Sequence, residues 1–264
     1  MTDILIILQA RLSSSRLPGK VLKKILGKPM LAHQIERLSH ISTPHQLIVA
    51  TSVQNDDDAI AALCEQLNVA CYRGSLDDVL SRYYHAALNA NSHKNIKHIV
   101  RLTGDCPLID TNIIDQVISL YLSNQCSEKQ VDYCSNCAPA TLPDGLDVEI
   151  FSVAALTTAY EQASKFSERE HVTPYIRNNP QLFNTINYKY PSDLSHFRWT
   201  VDEPKDFELV TKIYQALYLQ NPTFGLIDIL ALIEENPLLA QINHKIIRNE
   251  GLIKSEKNDQ NLAK

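Results

Sequence analysis

A continuous apolar run over residues 4–8 ends abruptly in a loop rich in cations and hydroxyls. Such a run suits a strand buried on both faces rather than one with a wet side. A helical pattern follows: Pro29 suits a first helical turn, and Leu31, Ile35 and Leu38 fall at i, i+4 and i+7 to form one apolar stripe. Residues 46–51 are short and β-rich, and the next segment, 56–68, sets Ile60, Leu63, Cys64 and Leu67 on one helical face. A strand at 69–72, a helix near 76–90, a strand at 97–102 and a helix capped by Asp110 or Thr111 and ending near Ser123 continue the alternation. Strands alternating with helices at this spacing require right-handed crossovers, so the expected fold class is α/β, a doubly wound, mostly parallel sheet. Ligands of such sheets sit beyond the carboxyl ends of the strands, which predicts one crevice shared by the loops after Leu8, Thr51, Tyr72 and Leu102.

The rhythm breaks between about 130 and 191, where candidate strands at 131–134, 146–151 and 183–188 enclose two helices; this stretch reads as a small inserted α+β lobe. The main fold resumes with a strand at 197–201 and a helix carrying Phe207, Val210, Tyr214 and Leu217 on one face. One domain over 1–251 is expected, with a frayed polar tail at 252–264. A chain of 264 residues, 44% apolar, fills one core of this kind.

The net charge of −5 and the absence of any long block of one sign argue against nucleic acid as a partner. The first apolar run is too short for a signal peptide core or a membrane span, so a cytoplasmic protein with no membrane partner is expected. Six cysteines then read as reduced thiols, and the lone C-x-x-C at Cys134 and Cys137 lacks the further ligands of a structural zinc site.

The stretch from Gln9 to Lys20 occupies the position where α/β folds bind phosphate. It holds Arg11, Arg16 and Lys20, three consecutive serines and a Pro-Gly turn. Small residues let the backbone bring N–H groups to an anion, arginine grips phosphate oxygens in a fork, and lysine acts as a point charge. The stretch is neither a P-loop nor a G-x-G-x-x-G fingerprint. On chemistry alone a solvated basic turn explains the composition equally well.

Ala10-Arg-Leu-Ser-Ser-Ser-Arg-Leu-Pro-Gly-Lys20, followed by Gly27-Lys-Pro-Met30, resembles the first motif of the CMP-sugar synthetases, which include the 3-deoxy-manno-octulosonate and acylneuraminate cytidylyltransferases. It is closer still to the relatives of spore coat polysaccharide biosynthesis proteins. Four further stretches resemble that family in the same order: 72–84, 101–110, 167–175 and 198–207. The resemblance implies a nucleotide-diphospho-sugar transferase-like, Rossmann-like sheet and a reaction in which CMP passes from CTP to an acidic nonulosonic or octulosonic sugar with release of pyrophosphate.

It implies Mg²⁺ held by Asp105 and Asp202, and phosphate charge offset by Arg11, Arg16 and Lys20. Nucleotide contacts are implied for Leu8, Gln9, Ala10, Ser13, Ser14 and Thr103, with base and ribose contacts from Ala50, Thr51, Ser52, Arg73 and Gly74. For the acceptor, Arg101, Arg169 and Arg198 are candidates for a sugar carboxylate; Asp144, Asp147, Glu149, Glu168 and His171 are candidates for its hydroxyl or amino groups. Residues 167–179 are expected to form a helix that meets a second subunit of a homodimer. Two departures stand out. Ser52 replaces an aspartate of the octulosonate enzymes, and Ser75-Leu-Asp-Asp-Val replaces their Gly-Thr-Glu-Arg run. Two other readings therefore stay open: the same fold with another nucleotide or a polyol or phosphosugar acceptor, and a degenerate nucleotide-binding module.

Overall fold

A computed structural model describes residues 3–91, 95–126, 130–248 and 250–262. In chain order the elements are β1 (Ile4–Gln9), a hairpin of β2 (Lys24–Ile25) and β3 (Lys28–Pro29), α1 (Met30–Leu38), β4 (Gln46–Ser52), α2 (Asp58–Gln66), β5 (Ala70–Gly74), α3 (Val79–Asn91), β6 (His98–Thr103) and α4 (Thr111–Ser123). Then come β7 (Tyr133–Ser135), β8 (Glu149–Ser152), α5 (Val153–Gln162), α6 (Phe166–His171), α7 (Pro174–Arg177), β9 (Thr185–Asn187), α8 (Pro204–Leu217), α9 (Leu226–Glu235) and α10 (Glu250–Leu262). Seven strands form one sheet in the order β5-β4-β1-β6-β8-β7-β9. β5, β4, β1 and β6 pair in parallel, and β8 alone runs against its neighbours β6 and β7.

Both faces of the sheet are covered, as the unbroken apolar run of β1 requires. Ile4, Ile6 and Leu8 pack into one core with α1, α4, α8 and α9, while Leu5 and Ile7 pack into the other with α3 and α5. The alternation is the strand's own period of two. Each of these side chains is at most 2% exposed, and each contributes roughly 1.5–3 kcal/mol by leaving water. The chain therefore has the Rossmann-like, mostly parallel α/β architecture. Among the described residues no helix is long and apolar enough to cross a membrane.

Asp110 caps α4, as its position predicts: Oδ1 accepts the N–H groups of Asn112 at 2.8 Å and Ile113 at 3.3 Å. Its other oxygen accepts the Leu226 N–H at 2.6 Å and so caps the start of α9 as well. One carboxylate satisfies the free donors of two helices. Asp110→Ala is expected to cost about 2 kcal/mol of folding free energy, the upper end for a single cap, and to lower the denaturant midpoint at unchanged m-value.

The structure corrects four expectations. The strands assigned to an inserted lobe extend the main sheet, because β8 lies against β6 with Arg101 opposite Glu149, and β7 and β9 continue outward from it. Residues 197–201 form no strand; they cross the strand ends and make a single bridge, Asp144 with Arg198. The helix expected over 167–179 is broken into α6 and α7 at Val172, which has φ 72°. Residues 250–262 are helical rather than frayed, because Asp259 accepts the N–H groups of Phe166 at 3.0 Å and Ser167 at 3.2 Å and so docks α10 on α6. Within the chain α6 packs against α10 and α3.

Candidate active site

The start of the loop after β1 is held on both sides by the neighbouring strands. Ala10 N–H donates to Ala50 O at 3.1 Å, and Gly104 N–H donates to Gln9 O at 2.7 Å. The second approach demands glycine, since a Cβ at position 104 would lie 2.9 Å from that same oxygen. Inside the loop, Leu12 O accepts from Ser14 N at 2.8 Å and Gly19 N at 3.0 Å, which folds the serine run back on itself. Gly19 takes the left-handed conformation, φ 68°, where a side chain would be strained. A single 3₁₀ turn, Lys20–Leu22, then aims the Lys20 side chain inward.

Lys20 is 8% exposed, and its Nζ donates to Asp105 Oδ2 at 3.0 Å, Asp202 Oδ1 at 2.8 Å and Val201 O at 2.8 Å. Three acceptors match the three protons of an ammonium. Burial alone would pull its pKa down, yet Asp105 and Asp202 outweigh burial and raise it. Burial likewise works to raise the Asp105 pKa, but the Lys20 charge, with hydrogen bonds from Thr103, Lys20 and Cys106, holds it far below the usual range. Two carboxylates far apart in the sequence thus share one cation, beside the loop that supplies it.

Asp202 is fixed from behind. Arg198, 7% exposed, donates to Asp202 Oδ2 at 2.9 Å, Asp144 Oδ2 at 2.6 Å and Asp206 Oδ1 at 3.1 Å. Asp206, fully buried, also accepts the N–H groups of Asp202 at 3.0 Å and Glu203 at 2.9 Å, and Asn243 Nδ2 at 2.8 Å. The N–H groups at the start of α8 are therefore satisfied by Asp206 in the first turn and not by the Asp202 carboxylate, which lines the cavity. Arg16 reaches the outer oxygen of Asp202 at 3.1 Å and Glu250 at 2.8 Å.

These groups wall a cavity of about 600 Å³ beyond the carboxyl ends of β1 and β6. Gln9, Ala10, Arg11, Ser13, Ser14, Arg16 and Lys20 line it from the loop, and Thr103 and Asp105 from the end of β6. Arg101, Asp144, Asp147, His171, Arg198 and Asp202 close the opposite side. The other assigned residues lie elsewhere. Leu8 is core, and Ala50, Thr51 and Ser52 are fully buried under the loop. Arg73 pairs with Asp58 at 2.6 Å and donates to the Ser52 and Gln54 carbonyls. A Cβ on Gly74 would already touch Arg82 and Tyr72 at 3.1 Å, so this turn is packed against side chains.

Three acceptor candidates also lie outside the cavity lining. Glu149 is 4% exposed and accepts from Arg101, from Tyr133 Oη at 2.6 Å and from Thr173 Oγ1 at 2.6 Å. Glu168 accepts the N–H groups of Ser164 and Lys165, each at 3.2 Å, as a helix cap. Arg169 grips Asp78 at 2.5 Å and the Tyr160 carbonyl at 2.7 Å. Sequence alone does not say which charges find partners within the chain. Asp147 does line the cavity; burial pushes its pKa up to about 7, helped by Asp144 and Glu149 and opposed by its partner Arg248.

Four charged residues of the cavity carried no assignment. Arg82 projects from α3, 1% exposed, with its Nη1 on Ser75 O at 2.6 Å; it stands within the family-like stretch 72–84, which was the available signal. Glu170 stands within the family-like stretch 167–175 and so carried the same signal, whereas Glu250 and Lys254 carried none. They enter because α10 folds over the cavity, where Ser255 Oγ binds Glu170 at 2.5 Å and His171 at 3.1 Å. The Glu170 carboxyl sits at about 2, lowered first by the His171 hydrogen bond.

The sequence profile described as Cytidylyltransferase matches residues 5–243. The chain is 30% identical to the spore coat polysaccharide biosynthesis protein SpsF of Bacillus subtilis over 90% of its own length and 96% of that protein. It is 38% identical to the 8-amino-3,8-dideoxy-manno-octulosonate cytidylyltransferase of Shewanella baltica over 45% of this chain and 47% of that one. A solved cytidylyltransferase from Leptospira borgpetersenii superposes with a TM-score of 0.85 at 33% identity, covering 94% of this chain and all of the other. Basic loop, aspartate pair, sheet order and full-length similarity agree that this chain belongs to the cytidylyltransferase family of nucleotidyltransferases.

Proposed function

We propose that the protein transfers CMP from CTP to an acidic nonulosonic or octulosonic sugar, releasing pyrophosphate, in the synthesis of a surface polysaccharide. The observation that carries this reading is the Lys20 ammonium, bonded at once to Asp105 and Asp202 at the edge of the basic loop. Because its three protons are fully used, Lys20 binds an incoming phosphate only in exchange for a carboxylate. The exchange releases that carboxylate for Mg²⁺. Two hard oxygen donors that leave the remaining positions to phosphate oxygens and water suit Mg²⁺, which keeps part of its water shell. Bound there, Mg²⁺ would polarise the phosphate oxygens and lower the pKa of the attacking hydroxyl.

The rest of the chemistry belongs to the protein. Arg11 and the serine run face the triphosphate, and Arg16 is freed for it when Glu250 withdraws. The acceptor hydroxyl attacks the α-phosphorus in line, and the loop cations stabilise charge developing on pyrophosphate as it leaves. No covalent enzyme intermediate is needed. The names of the two relatives, a spore coat polysaccharide protein and an amino-octulosonate cytidylyltransferase, support an acidic sugar as acceptor. On the acceptor side, Arg101 is the one carboxylate candidate that lines the cavity without being saturated by several acidic partners, while Asp147 faces hydroxyl or amino groups.

The direct test is pyrophosphate release from CTP with Mg²⁺ across a panel of octulosonic and nonulosonic acids, together with thermal-shift ranking of CTP, UTP, GTP and ATP. CTP is expected to raise the melting temperature most, because a ligand that binds only the native state stabilises it by mass action. Equal shifts for all four nucleotides, or no pyrophosphate with any acid, would remove the cytidylyl assignment.

A further inference from the structure

We infer that Asp57 is the positioning residue of the phosphate loop, a role that rests on the cytidylyl reading above. Asp57 belongs to the 3₁₀ turn Asn55–Asp57 that leads from β4 into α2 and is 2% exposed, remote in sequence from the loop. Its Oδ1 accepts the Leu12 N–H at 2.7 Å. Its Oδ2 accepts the Ser52 N–H at 3.2 Å and the Ser52 hydroxyl. Among the described residues this carboxylate forms no salt bridge; three neutral donors hold it, two of them backbone.

The peptide it grips is the pivot of the loop. Leu12 O already accepts Ser14 N and Gly19 N, so Asp57 on the N–H and those two donors on the carbonyl fix the residue from both sides. Arg11 and Ser13, its two neighbours, line the cavity, and the direction in which they point is set by how the Leu12 backbone is held. A charged acceptor strengthens such a bond about twofold over a neutral one. The same carboxylate tied to Ser52 registers the loop against the end of β4, so nucleotide-facing backbone and the strand beneath it move together. A displacement of an ångström in such donors is enough to weaken phosphate binding substantially.

Asp57→Asn is nearly isosteric but retains a single acceptor oxygen for donors that now share two, so either Leu12 or Ser52 loses its partner. The experiment compares wild type, D57N and S52A, the last keeping the bond to Leu12. Calorimetric binding of magnesium pyrophosphate and of cytidine is measured for each, with steady-state CTP kinetics alongside. D57N is expected to weaken pyrophosphate and raise the CTP KM by about tenfold, with cytidine affinity within about twofold, while S52A leaves pyrophosphate affinity within about twofold. Should D57N not fold, Asp57→Glu, which keeps the charge and displaces the anchor, carries the same comparison. Pyrophosphate affinity equal to wild type, or cytidine affinity falling in step with it, overturns the inference. Wild type that binds pyrophosphate but never turns over CTP sinks the cytidylyl reading alone; wild type that binds no pyrophosphate sinks both.

Discussion

Asparagine in place of Asp105 is expected to lower kcat on the order of a thousandfold, the scale of losing one electrostatic element of a preorganised site, while circular dichroism stays that of the native protein. The substitution keeps an oxygen for Lys20 and removes only the charge. In the native protein that charge is secure: the Asp105 pKa is far below its ordinary value and that of Lys20 above. The sign follows. A depressed carboxyl pKa means the pair's stabilisation is present above the ordinary carboxylate pKa and lost as pH falls through the folded value, while a raised ammonium pKa keeps its charge through neutral pH. Both groups stay ionised across the neutral range, so loss of activity in D105N cannot be recovered by changing pH within it. Turnover within tenfold of wild type would end the metal assignment.

The second large effect is on stability. Asp206→Ala is expected to cost about 3–5 kcal/mol, because it leaves the buried Arg198 guanidinium without two of its bonds. It also strips acceptors from Asp202 N, Glu203 N and Asn243 Nδ2. Thermal unfolding reads the loss directly. An additional fall in activity should accompany it, since the Asp206 carboxylate holds the backbone on which Asp202 stands. A melting temperature within a degree of wild type would show that the Arg198 network carries little of the fold's stability.

Much of the architecture is legible in the chain because it rests on local patterns. The β1 run, the stripe of α1, the Asp110 cap and the strand–helix alternation through Ser123 are all short-range signals, and the structure reproduces them within one to three residues. Beyond residue 130 the signals are weaker. Three- and four-residue strands carry too few side chains to show a period, and whether they form a separate layer or extend a sheet depends on which edge they meet. The edge is β6, where Arg101 faces Glu149. For α10, polarity suggests a tail, and contacts remote in sequence, of Asp259 with the start of α6, Ser255 with Glu170 and Glu250 with Arg16, hold it as a helix lying over the cavity.

The basic loop after β1 and Asp105 at the end of β6 are legible in the sequence by itself, because each depends on residue type and on position just after an apolar strand, while Asp202 is legible only through the family-like stretch 198–207, since no strand precedes it. Which charges work on a ligand and which hold the protein together is decided only in three dimensions. Arg169, Glu149 and Glu168 each bond to partners within the chain, and Arg198 is consumed by three carboxylates, whereas Arg11 and Asp147 reach the cavity. A charge is available for substrate only where the fold leaves it incompletely partnered, and partnership across tens of residues is a matter of packing that no local pattern encodes.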